Sequence, residues 1–228
     1  MLNTLIEKID DKIDAIKIEN YDKDLSEVDF PVSWTFYFYL ERYSSFLKSS
    51  KQLLIKFDEF PMHEMSLGLI LRTMILDSLT IFELLSGANS KDDVKPKLNK
   101  LLIDNVIHYF KNFDGEDGLK NDLKNKLEAK FGSLLTQLGV TEIDELIKNP
   151  RQYSYKSPSK IYNTVKSSKY KKFAQGYDLY LHYSKYEHFG LISPLMSKIK
   201  NDKKLEILII GYNYIFDVID FIMKSVDD

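Results

Sequence analysis

The stretch DLYLHYSKYEHFG at Asp178–Gly190 holds two of the chain's four histidines beside three tyrosines and a serine. On a helix, at about 100° per residue, Ser184 and His188 fall within about 40° of Tyr177, and Tyr180 lies about 60° to the other side. One face therefore carries three hydroxyls and an imidazole in line, while His182, Lys185 and Tyr186 point elsewhere. His188 is near the end of its helix, where a protonated imidazole is favoured. Such a face can donate hydrogen bonds to an anion or exchange a proton with a bound group.

A second set of ionisable groups interrupts the most apolar helix. Leu67–Leu85 is hydrophobic on nearly every side yet contains Arg72, Asp77 and Glu83. A charge there must find a partner or water, since an isolated buried charge costs several kcal/mol. Arg72 and Asp77 point about 140° apart, so they do not pair simply along the helix. Ser66, Thr73 and Thr80 share the inward arc between them. The chain has 32 basic residues, of which only Arg42, Arg72 and Arg151 are arginine. Where lysine is the usual cation, an arginine in an apolar helix suggests that the planar guanidinium is needed.

Brought together, the two helices would make a polar chamber. Arg72 would hold a phosphate, Asp77 would orient its neighbours, His188 would act as acid, base or phosphate donor, and Ser184, Tyr180 and Tyr177 would supply hydrogen bonds. The same groups can equally satisfy one another across a helix interface, with no ligand. A third feature favours an anionic ligand. Asn149–Tyr177 holds seven basic residues, among them Lys166, Lys169, Lys171 and Lys172, and no acid. Tyr153, Tyr155, Tyr162 and Tyr170 are interleaved with them. Lysines can follow a phosphate backbone while tyrosines stack bases; the plain alternative is a solvated lysine-rich loop.

Other chemistries lack their residues. There is no cysteine, hence no disulfide, thiolate nucleophile or Cys-based zinc site. His63-Glu64 is not followed by the second histidine of a zinc motif, because position 67 is leucine. Asp104 and His108 share a helix face without an evident third ligand, and FDGEDG does not repeat oxygen ligands at calcium-loop spacing. No glycine-rich phosphate loop, dinucleotide fingerprint or nucleophile elbow is present. Neither metal nor cofactor is expected.

The elements that must position these groups read as helices. The 228 residues carry a net charge of −2, with 44% hydrophobic and 29% charged residues, which fits a globular chain without a strong overall field. The N-terminal segment lacks the apolar run of a signal peptide. The apolar C-terminal run is broken by Glu206, Asn213, Asp217 and Asp220, so no membrane span and a cytoplasmic location are expected. Helical periodicity dominates throughout. It predicts an all-α single domain over residues 1–228, with about seven to nine helices around a central buried helix at Met62–Leu85. That helix should pack against Tyr170–Phe189 and the C-terminal helix. Gly87 should cap it, Pro31 and Pro61 should open helices, and TEIDELI should begin with Thr141 as cap and Asp144 three residues on. The basic segment 149–169 is expected to be irregular. The aromatic run WTFYFYLERY is dense enough for core packing and for a homodimer seam.

LRTMILDSLTIFELL and YLHYSKYEHFG together resemble a group of uncharacterised bacterial all-helical proteins, a domain-of-unknown-function family. Its pattern is Arg-x4-acid in one apolar helix and Ser-x3-His after a Tyr-rich lead in a later one. Arg72 with Asp77 and Ser184 with His188 match it, although the acid is aspartate where glutamate is expected, and Asn89–Lys169 has no counterpart. The resemblance implies a helical bundle with a polar centre. A fold-level likeness to the HEPN class of helical ribonucleases stops short of its motif, because no arginine here precedes a histidine at the required spacing. The expected function is binding or metal-independent cleavage of RNA or a nucleotide, in a phage-defence or toxin-like role. The alternative is a non-enzymatic helical scaffold whose polar network only fixes helix register.

Overall fold

In the computed structural model, described residues are 1–16, 32–57, 63–111, 117–137, 140, 142–148, 154–185 and 201–227. They form nine α-helices and no strand, as the periodicity predicts. In chain order these are α1 (Leu2–Ala15), α2 (Val32–Ile55), α3 (His63–Leu85), α4 (Lys91–Lys111), α5 (Asp117–Gln137), α6 (Ile143–Lys148), α7 (Pro158–Lys166), α8 (Gly176–Ser184) and α9 (Asn201–Asp227). A single 3-10 turn, Lys171–Phe173, precedes α8.

The helices belong to two compact units. The first contains α1–α3 and α7–α9. Its axis is α3, which packs against α7, α8 and α9. Thirteen of its 23 residues are buried, including Leu67, Leu71, Met74, Ile75, Leu79 and Phe82. It is also the one helix among the described residues that is long and apolar enough to cross a membrane, with more than half of the apolar window covered by the fold itself. Serine and threonine hydroxyls along it return to their own helix: Thr73 donates to the Leu69 carbonyl, Ser78 to Met74 and Thr80 to Leu76. The expected inward polar arc is thus largely satisfied within the turn, a usual fate of such side chains in apolar helices. Gly87 follows with φ +74°, the left-handed conformation that ends helices at low steric cost.

Two close approaches fix α9 in this unit. A Cβ on Gly211 would lie 2.6 Å from the Tyr183 hydroxyl and 3.0 Å from a Leu71 methyl. The Tyr183 hydroxyl donates to the Ile207 carbonyl at 2.8 Å. A Cβ on Gly176 would overlap the Tyr214 ring, whose hydroxyl donates to the Phe173 carbonyl at 3.1 Å. Beside them, Phe82 of α3 stacks on Phe173 at 3.9 Å and meets Phe221 of α9 at 5.3 Å. Glu64 and Lys204 join α3 to α9 through a 2.6 Å ion pair, each side chain only 6–7% exposed. On the outer side, Lys12 of α1 pairs with Asp220, and Asp10 with Lys51 of α2.

The second unit contains α4, α5 and α6. Ile103, Ile107, Phe110, Leu135, Val140, Ile143 and Leu146 form its core. Helix α4 begins at Lys91, and Val94 and Leu98 are its first buried apolar residues. Its start is a reciprocal cap: Asp93 accepts from the Asn89 and Ser90 amides, while its own amide meets the Ser90 hydroxyl. Pro96 is tolerated inside its early turns. At α6 the Thr141 cap lies outside the described residues; Glu128 of α5 accepts from the Ile143 amide at 2.9 Å, and Asp144 instead pairs with Lys124 at 2.6 Å. Within the basic segment expected to be irregular, the structure contains a regular helix, α7. Pro158 opens it, and Ile161 and Val165 bury one side.

Candidate functional site

Arg72 lies on α3 where α8 crosses it. Its Nε donates to Ser184 Oγ at 3.2 Å, and its Nη2 to the Tyr180 hydroxyl at 3.4 Å. The guanidinium also sits over the Tyr180 ring, 5.2 Å from its centre. Ser184 Oγ in turn donates to the Tyr180 carbonyl, so it is pinned while it accepts from Arg72. The face inferred from the helical wheel is therefore physically continuous over its described part. Tyr180 stacks on Tyr177 (6.0 Å, 16°), Tyr177 on Tyr162 of α7 (4.6 Å, 18°), and Lys166 lies 5.4 Å over the Tyr162 ring. Three half-buried tyrosines form a column with a cation at each end.

The lysines beyond this column are exposed and lie along the chain between α7 and α8. Lys169 lies over the Tyr170 ring and Lys172 over Phe173, at 5.3 and 4.7 Å, and Lys171 is exposed between them. Pro158–Tyr177 carries five lysines and no acid. Lys166, Lys169 and Lys172 each rest on an aromatic face, which holds them at low cost without removing them from water.

Asp77 is elsewhere. It faces α2, where Arg42 Nε lies 3.0 Å from its Oδ2 at ionic distance without hydrogen-bond alignment. Burial pushes its carboxyl up from 3.8 to about 6, and the Arg42 charge offsets only part of this. Tyr39 and Tyr43 close the site. Burial, aided by the Asp77 charge, holds both phenols well above their ordinary range. The Tyr43 hydroxyl is 2.9 Å from Ser78 Oγ. Asp77 thus belongs to an α2–α3 cluster and makes no contact with the Arg72 array. His188 lies outside the described residues, as does Tyr186. His182 is half-buried against Tyr183, with its pKa lowered by burial and then by Lys185, opposed by Glu64.

Sequence reasoning missed Tyr162 as part of the column and Arg42 as the partner of Asp77. The first had a signal, since Tyr162 sits among the interleaved tyrosines. The second had one too, because Arg42 is one of the three arginines. Asp104 and His108 approach to 3.8 Å, the histidine exposed and the aspartate mostly buried, and no cluster of three metal-ligating side chains occurs among the described residues. No protein family, curated protein or solved structure matches the chain.

Proposed function

We propose that the first unit binds RNA or a nucleotide through its phosphates, along the face that runs from Arg72 over the tyrosine column to the lysines of the α7–α8 connection. The observation that carries this reading is the column itself: Arg72, Tyr180, Tyr177, Tyr162 and Lys166 in unbroken contact, continued by exposed lysines with no acid among them. Its ring faces are already stacked on each other. What it offers a ligand is therefore hydroxyls, ring edges and cations, a set suited to phosphate oxygens. Because the array is assembled in advance, binding orders few side chains. Cleavage would draw on His188, and cleavage products are measured in the same assay.

The test is a salt titration of binding to a short oligouridylate by fluorescence anisotropy. Neutralising four phosphates with Arg72, Lys166, Lys169 and Lys171 would give a log–log slope of roughly −3, and each Lys→Ala or Arg72→Ala substitution would reduce it by about 0.7. Affinity that stays flat between about 50 and 200 mM salt rejects the reading. A second reading has its own support: Ser184 both accepts from Arg72 and donates to Tyr180, so the network is internally satisfied enough to serve only as a register lock between α3 and α8. In that case Arg72→Ala lowers the melting temperature while the wild type binds no oligonucleotide.

A further inference from the structure

A cleft of about 470 Å³ opens between the 3-10 turn and the C-terminal half of α9. The volume falls in the range of small-molecule sites, roughly 300–1,000 Å³. Its floor is aromatic, made by Phe173 and Phe221, which meet edge to face at 5.6 Å. Its rim is polar: Lys172, Gln175, Asp217 and Lys224. Asp220 also lines it, but is engaged by Lys12. The side chains of Gln175, Asp217 and Lys224 make no hydrogen bond or ion pair to any described residue. Phe173 is only 4% exposed, stacked on Phe82 and overlain by Lys172, so the half-buried Phe221 offers the more open ring, and three polar side chains beside it suit a flat heterocycle with a polar edge.

The chemistry of the rim narrows the ligand. Asp217 is acceptor-only when ionised, so it pairs with an edge bearing N–H donors. Guanine presents two adjacent donors, N1–H and N2–H, which one carboxylate can accept together. Uracil presents one donor flanked by carbonyls that a carboxylate repels. Gln175 can donate to a base carbonyl, while Lys172 and Lys224 can meet a phosphate. Lys172 is also the last cation of the lysine row. The cleft is therefore continuous, through one side chain, with the proposed phosphate path.

We infer that this cleft is a guanine-nucleotide pocket at one end of the RNA-binding face, with Asp217 reading the base edge and Lys172 and Lys224 holding its phosphate. The inference rests on the phosphate-binding reading above. Titrate the full chain with GMP and UMP by calorimetry, and with an oligouridylate and its single-guanosine variant by anisotropy. GMP should bind at least about tenfold tighter than UMP, and Asp217→Asn should remove that preference, a change of about 1.4 kcal/mol. Lys224→Ala should weaken both mononucleotides. Asp217 is exposed and without a partner, so its variant should keep the wild-type melting temperature, and a loss of binding then reports on the pocket. Equal binding of GMP and UMP, or an Asp217→Asn variant that still prefers GMP, overturns the inference. If the oligouridylate binds and responds to Arg72→Ala while GMP shows no preference, only the pocket is wrong. If GMP binds selectively and no oligouridylate does, the strand path fails and the pocket stands. If nothing binds, both fall.

Discussion

Replacing Asp77 by asparagine should make the protein more stable at neutral pH, although it removes one partner of an ion pair. The carboxyl is largely buried between α2 and α3, and its folded-state pKa is about 6 against an ordinary 3.8. The sign follows from proton linkage. Between those two values the folded protein holds a proton that the unfolded chain has released, so stability falls as pH rises through the window. Below about pH 4 both states are protonated and the group contributes nothing; above pH 6 the cost is complete. At about 1.4 kcal/mol per pH unit, the cost reaches roughly 3 kcal/mol at pH 7 and above. Asparagine keeps the shape of the neutral acid and carries no such cost. Urea unfolding of wild type and Asp77→Asn from pH 4 to pH 8 should give curves that coincide at the acid end and separate by that amount at neutrality. Arg42→Ala provides the converse, because it leaves the carboxylate without its attractive neighbour and raises its pKa further: wild type should exceed it most at neutral pH and above, with the charge-dependent part of the gap shrinking as pH falls toward 6 and gone by about pH 5. A difference between wild type and Asp77→Asn that does not change with pH, or one in which the asparagine variant loses stability as pH rises, would refute the argument that burial outweighs Arg42.

The contacts of α9 with α3 supply two more predictions. Gly211→Ala places a methyl 2.6 Å from the Tyr183 hydroxyl, and should destabilise by about 1–3 kcal/mol, as overpacking does; removing the hydroxyl in the Gly211→Ala/Tyr183→Phe double variant should recover part of that, measured by denaturant midpoint. Glu64→Gln leaves the Lys204 ammonium buried without a counter-charge, which costs about 3–5 kcal/mol, whereas Glu64→Leu with Lys204→Met should lie near wild type; a single variant as stable as wild type would show that Lys204 reaches water.

The fold class was legible because the 3.6-residue period is strong. The residues of α3 are apolar on most sides, and a helix of that kind has to be central. Gly87 was legible as a stop for the same reason: only its left-handed φ is needed, and it stands where the apolar pattern ends. Helix α7 was not. Its Ser, Tyr and Lys composition resembles a loop, and only Ile161 and Val165 carry the helical spacing that Pro158 initiates. The approach of Arg72 to Ser184 and Tyr180 followed from two independent wheels, since each helix has one face able to satisfy the other. The position of Asp77 was the harder problem. Its angle from Arg72 showed that the two point apart, but nothing in the sequence within α3 says which helix lies on that side. Arg42 carried the missing information through its type: in a lysine-rich chain, a guanidinium placed amid buried tyrosines marks a carboxylate nearby.

That separation of Arg72 from Asp77 bears on the chemistry. Had Asp77 lain against Arg72, the pair would have neutralised each other and left little field for an anion. With Asp77 turned toward Arg42 on α2, the aspartate nearest to Arg72 along α3 adds no contact to the Arg72 array. Ser184 and Tyr180, which hydrogen-bond the Arg72 guanidinium, are both neutral oxygens. Hydrogen bonds to neutral oxygens restrain a guanidinium without cancelling its charge. The lysines at the other end of the column follow the same rule, resting on rings that do not carry charge. Among the described acids of the first unit, Asp10, Glu64 and Asp220 each pair with a lysine, while Asp178 stands exposed on α8 next to Tyr177. Asp217 stands beside Lys172 at the end of the lysine row, and in the inferred pocket its carboxylate meets a base edge, since it would repel a phosphate.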